Sequence, residues 1–236
     1  MRRLITFGDS FVEGYVKKGD NEEKSFTDFL GESLGIESIN QGKRGNSDFV
    51  ISYDVLRYIN NRPTMNLSKD CAFLISWSGW RRGYKTKIED GQIELYGGVE
   101  KRLHSEAALG CAQVHKHQVE LSQYAMVGFL TAMKIPFLFT NSFQDLKKVQ
   151  TDYPWRLPWE HYIEGESDNN TIQDILKGTW LKSQGKRKVL GRNHRSNSVQ
   201  IEKKYGDLTH ACGHPTRAGH ELISKTLEPY IKELIK

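Results

Sequence analysis

Nowhere in its 236 residues does the chain string together the roughly 18 apolar residues that a membrane-spanning helix requires. The apolar run that follows Arg2-Arg3, Leu-Ile-Thr-Phe, is also too short for the core of an export signal. Cysteine is scarce: Cys71, Cys111 and Cys212 are odd in number, far apart and form no Cys-x-x-Cys pair. That spacing excludes a disulfide framework and points to a reducing compartment, so a cytoplasmic location is the expectation. Strong charge of one sign is missing too. Against 29 acidic residues stand 34 Lys and Arg, a formal net charge of +5, and the basic residues are scattered. A nucleic-acid partner is not indicated, and neither is a membrane. The one dense basic stretch, Lys182 to Arg195, reads as a solvated loop, the alternative being contact with a phosphate or an acidic glycan. Repeats and low-complexity segments are absent.

What is present is a globular balance, 27% charged and 37% hydrophobic, in a length that suits one domain over residues 1–236. Arg3 to Phe7 reads as a short buried strand that stops at Gly8. Ser25 to Leu34 follows with a helical period through Phe26, Phe29, Leu30 and Leu34, and Ile36 to Ile39 forms a second strand. Phe49 to Ile59 repeats the helical period, and Cys71 to Trp77 is a continuous apolar run of the fully buried strand type. Tyr84 to Gly98 changes style, alternating apolar and polar residues around Asp90-Gly91, which predicts a hairpin insertion. A long helix over 112–133 is expected to bury Val114, Leu121, Ala125 and Phe129, and Ile135 to Phe139 supplies a fourth strand. Residues 144–210 lose the pattern except for a helix from Thr171 to Trp180, and their aromatic residues suggest an ordered covering loop. An amphipathic helix from Ala218 to Ile235 closes the chain. Strands alternating with helices predict an α/β fold, a three-layer α/β/α sandwich around a mainly parallel sheet.

A serine hydroxyl attacks an ester only when a base takes its proton and donors steady the oxyanion. The turn leaving a parallel strand suits such a serine, and Phe7-Gly8-Asp9-Ser10 occupies one. Asp9 reads there as a carboxylate that organises the loop, since Gly-Asp-Ser is also helix-cap chemistry.

The stretch ITFGDSFVEGY resembles the first block of the SGNH hydrolases, also called GDSL esterases and lipases, in which this serine follows one N-terminal strand. GHPTRAGHELI resembles the family's last block and puts the general base at His214. The resemblance covers the whole chain in layout, but it is specific only in those two places. It implies the flavodoxin-like SGNH fold and a serine ester hydrolase that needs no cofactor. INQGKRGNSD fits the family's second block, implying that the Gly45 N–H donates to the oxyanion beside that of Ser10, with Gly42 as the turn.

Two departures stand out. The third block normally carries an asparagine donor, whereas ISWSGWRR contains none; Ser78 falls near that place, Trp80 is the alternative, and a serine hydroxyl supplies one donor. The family's Asp-x-x-His pattern would put an aspartate at 211, where Ala211 stands. Asp207 is the remaining local candidate for the acid, the other options being a backbone carbonyl or a Ser–His dyad. His210, Cys212 and His214 are zinc-type ligands in spacing, but no fourth ligand is evident and no metal is expected.

Trp77, Trp80 and Arg81 follow the third strand and are candidates for substrate contact, with Tyr153, Trp155, Trp159 and Tyr162 extending an aromatic platform. Stacking aromatics and pairing arginines favour a carbohydrate ester, such as an acetylated sugar, over a long acyl chain. The competing reading is a non-catalytic module of the same fold that binds glycan or serves as a virion component. The W-S…R third block resembles some phage-encoded proteins, and the two departures suit a decayed site. The identity of the ester and the oligomeric state are not legible.

Overall fold

A computed structural model describes residues 2–17, 20–21, 24–78, 82–89, 92–99, 106–142, 159–163, 171–183, 206–210 and 213–236. Among them, four parallel strands form the central sheet: β1 (Arg3–Gly8), β4 (Ser38–Gly42), β5 (Cys71–Trp77) and β8 (Phe137–Asn141), in the order β4-β1-β5-β8. Every residue of β5 is buried, as its unbroken apolar sequence requires of a strand covered on both faces.

Helices cover both sides. On one face α3 (Asp48–Asn60) and α5 (Glu106–Ala132) pack over Ile5, Phe7, Phe73, Ile75 and Phe139. On the other, α2 (Phe26–Leu34), α6 (Ile172–Ser183) and α7 (Arg217–Leu234) cover Leu4 and Leu74. The three-layer α/β/α architecture is thus the one expected. The hairpin is present as antiparallel β6 (Arg82–Glu89) and β7 (Gln92–Val99). Its turn at Asp90-Gly91 lies outside the described residues, as does most of 144–210. Short elements that the pattern does not announce are α1 (Ser10–Glu13), β2 (Tyr15–Lys17), β3 (Asp20–Asn21) and α4 (Leu67–Asp70). Among the described residues, no helix is long and apolar enough to cross a membrane.

Two strands begin two residues later than their hydropathy suggests, and for one reason. Ile36 is spent on closing α2, its N–H donating to the Gly31 carbonyl beside Gly35 in the left-handed conformation. Ile135 closes α5 in the same way, through the Leu130 carbonyl. Helix α5 also turns a different face inward. Val119, Gln123, Met126 and Leu130 are buried, whereas Leu121 and Phe129 are 59% and 37% exposed and Ala125 is exposed too. Gln123 can sit inside because its side-chain oxygen accepts a 2.7 Å hydrogen bond from the buried Tyr162 hydroxyl.

Candidate active site

The C-terminal ends of parallel strands leave backbone groups facing one edge, and the loops after β1, β4 and β5 meet there. Strand β1 ends at Gly8, where no larger residue fits. A Cβ there would stand 2.3 Å from Val12 Cγ2 and 3.1 Å from Ser76 Cβ. Asp9 then caps α1: it is fully buried, and its Oδ1 accepts from the Phe11 N–H at 2.9 Å. The same oxygen accepts from Ser142 Oγ at 3.0 Å, and Ser142 Oγ lies 2.9 Å from Ser76 Oγ. Because the Ser142 proton goes to Asp9, Ser76 is the donor in that second contact. Asp9 is therefore the loop-organising carboxylate the sequence suggests, tying the turn to the ends of β5 and β8.

This cap fixes Ser10 as the first residue of α1, 4% exposed. Its carbonyl accepts from the N–H of Gly14, which takes the left-handed conformation, while among the described contacts its own N–H donates to nothing. His214 Nε2 stands 3.0 Å from Ser10 Oγ, across 204 residues of sequence. Three backbone bonds set the histidine's turn: His210 N–H to the His214 carbonyl, Gly213 N–H to the His210 carbonyl, and Thr216 N–H to the Leu208 carbonyl. Gly213 has φ 88°, a conformation glycine adopts without strain. The imidazole packs on the Phe11 ring at 5.5 Å. Behind it His220, fully buried in α7, accepts from the Phe26 N–H at 3.2 Å through Nδ1. Burial first, then the neighbouring His210 and His214, depress the His220 pKa to about 3, so it stays neutral.

On the β4 side, Gly45 has φ 79° in a loop pinned to β1: the Lys43 N–H and Asn46 Nδ2 both donate to the Gly8 carbonyl. Asn46 Nδ2 also donates to Asp54 Oδ2 at 3.0 Å, and Lys43 pairs with Asp54 Oδ1 at 2.9 Å. The Gly45 N–H, like that of Ser10, is not spent on any described partner. Ser78, just after β5, is 3% exposed; its N–H donates to Asp48 Oδ1 at 2.6 Å and its hydroxyl has no partner among the described residues.

The sequence expectations fare unevenly here. Ser10 and His214 are brought together, and Gly45 and Ser78 lie on the loops of the same sheet edge. No described contact joins Asp207 to His214. Asp207 sits exposed on a single turn, Gly206–Leu208, and its described bond is made by its backbone carbonyl, which accepts from Thr216 Oγ1. Trp77 is a correction: it is fully buried, with its indole edge-on to Phe139 at 5.1 Å, because β5 extends through it and aligns it with Phe73 and Ile75. Tyr162 is likewise core, 4% exposed. Trp80, Arg81, Tyr153 and Trp155 lie outside the described residues. Asn46, Asp48 and Asp54 were missed. Their described partners include Gly8, Ser78 and Lys43, and the polar cluster after Gly45 is the local hint of them.

A serine and an imidazole in contact at the C-terminal edge of a three-layer α/β/α protein define the class of arrangement found in serine hydrolases. No family model and no curated protein sequence matches the chain. Solved structures do. An acetyl xylan esterase, AlAXEase, matches with a TM-score of 0.50 at 15% identity, over 97% of this chain and 99% of its own. A catalytic mutant of Axe2, an acetylxylan esterase from Geobacillus stearothermophilus, gives 0.45 at 15% identity over 99% and 94% of the two chains. AlinE4, an SGNH-hydrolase family esterase, gives 0.37 at 14% identity over 100% and 97%. At such identities the likeness is one of fold, and the chain shares the fold of AlAXEase.

Proposed function

We propose that this chain is a serine ester hydrolase in which Ser10 is the nucleophile and His214 the general base. The observation that carries the reading is the 3.0 Å contact between His214 Nε2 and Ser10 Oγ. In the reaction His214 Nε2 takes the Ser10 proton as Oγ bonds to the ester carbonyl carbon. The oxyanion that forms is met by the N–H groups of Ser10 and Gly45 and by the Ser78 hydroxyl. Collapse of the tetrahedral intermediate breaks the carbon–oxygen bond to the alcohol, which leaves with the proton from His214. Water, deprotonated by the same ring, then releases the acid from the acyl-enzyme. The ring sits in a turn held by three backbone bonds and packs on Phe11, and no described contact ties it to Asp207.

The proposed substrate is a short acyl ester on a carbohydrate. The fold likeness to AlAXEase, an acetyl xylan esterase, favours that class. Trp77 and Tyr162, being core residues, no longer do. The test is p-nitrophenyl acetate turnover together with labelling by a fluorophosphonate. Wild type hydrolyses the ester and is labelled, and Ser10→Ala and His214→Ala each abolish turnover. Labelling that persists in Ser10→Ala, or a wild type inert to both reagents, refutes the proposal and returns the fold to a binding or structural role.

A further inference from the structure

Asp48 is an acidic side chain with no described exposure beside a site that would stabilise negative charge. It is the first residue of α3, held there by Ser47 as N-cap, and a carboxylate is favoured at that end of a helix. Its Oδ1 accepts the Ser78 N–H at 2.6 Å, across 30 residues of sequence. That bond spends the only backbone donor of Ser78. What Ser78, 3% exposed, has left to offer is its buried hydroxyl, which has no hydrogen-bond partner among the described residues. A buried hydroxyl left unpaired costs stability, and such costs tend to persist where the group serves a ligand. The placement fits. Phe7 on β1 pairs with Ile75 on β5, so the turn carrying Ser10 and the strand end carrying Ser78 leave the sheet side by side.

We infer that Asp48 is a positioning residue: by anchoring the Ser78 amide it locks the end of β5 so that the Ser78 hydroxyl, and not its N–H, is the group presented to the oxyanion. The inference rests on the ester-hydrolase reading. Among the described contacts Asp48 itself touches neither Ser10 nor His214. Its bond orients the chain, and an amide oxygen at the same place would accept the same N–H.

The experiment measures kcat and KM on p-nitrophenyl acetate and the melting temperature for wild type, Ser78→Ala, Asp48→Ala, Asp48→Asn and the Ser78→Ala/Asp48→Ala pair. Loss of one oxyanion donor lowers kcat on the order of 100-fold. Ser78→Ala is expected to show that loss with KM within about threefold and no fall in melting temperature, since it deletes a hydroxyl that pays no structural bond. Asp48→Ala lowers kcat comparably, the double variant falls no further than the worse single, and Asp48→Asn recovers at least about tenfold of the loss. Ser10-dependent turnover with Ser78→Ala at the wild-type kcat overturns the inference and leaves the ester-hydrolase reading standing. Losses that multiply in the double variant, or Asp48→Asn as impaired as Asp48→Ala, also overturn it. Should Asp48→Ala not fold, Ser78→Ala and Asp48→Asn decide alone. Absence of any Ser10-dependent turnover removes both readings together.

Discussion

Acidification should destabilise this protein through one histidine. His220 is fully buried, and its Nδ1 accepts from the Phe26 N–H, so its proton sits on Nε2 and a second proton would have to displace that bond. Its pKa of about 3 compares with 6.5 for an ordinary histidine, burial being the main cause and the two neighbouring histidines the next. Above pH 6.5 both folded and unfolded chains carry the neutral ring and stability is intact. As the pH falls below that value the unfolded chain takes up a proton that the folded one refuses, and the loss grows until about pH 3. For this shift linkage gives a loss of about 2 kcal/mol at pH 5 and about 3 kcal/mol at pH 4, sizeable beside a typical total stability of roughly 5–15 kcal/mol. Urea denaturation at pH 7 and pH 5 reads it directly, with His220→Gln as the reference. Glutamine offers an acceptor to Phe26 but does not titrate. Other ionisable groups change alike in both proteins, so the difference between the two losses isolates this ring. Wild type should lose about 2 kcal/mol more than the variant between those pH values. Parallel pH–stability curves would refute the reasoning.

Two further outcomes follow from the site's scaffold. A Cβ at Gly42 would meet the Glu13 backbone nitrogen at 2.5 Å and Val12 Cβ at 2.7 Å, neither of which can swing aside. Gly42→Ala should therefore cost about 1–3 kcal/mol by melting and, because it presses on the helix carrying Ser10, lower kcat as well. Asp207→Ala removes an exposed carboxylate with no described contact to His214, so kcat should stay within about twofold of wild type and stability within about 0.5 kcal/mol. A hundredfold fall in kcat would restore Asp207 as the acid.

The legible parts of the site were those written in local chemistry. Gly8-Asp9-Ser10 announces a strand end and a helix cap within three residues, and Gly213-His214-Pro215 announces a turn before the last helix. Each can be read without knowing the other. The sheet was legible for the same reason, since buried strands leave runs such as Cys71 to Trp77. Trp77 itself was misplaced because a residue at the end of a strand takes its direction from pairing, and its pairing with Asn141 keeps it in the pleat. Helix α5 has apolar residues on more than one side, and the burial of Val119, Met126 and Leu130 together with the Tyr162 bond to Gln123 shows which side faces in. Asp48 illustrates the general limit: its role is set by Ser78, 30 residues away, and nothing in its immediate neighbours encodes that contact.

The reach of the Ser10–His214 contact also has a temporal meaning. On the proposed reading, a growing chain carries the Ser10 hydroxyl well before the imidazole that would activate it, which is translated 204 residues later. Copies that stop between the two residues would therefore be silent toward esters, and reactivity would appear only when both have been made and docked.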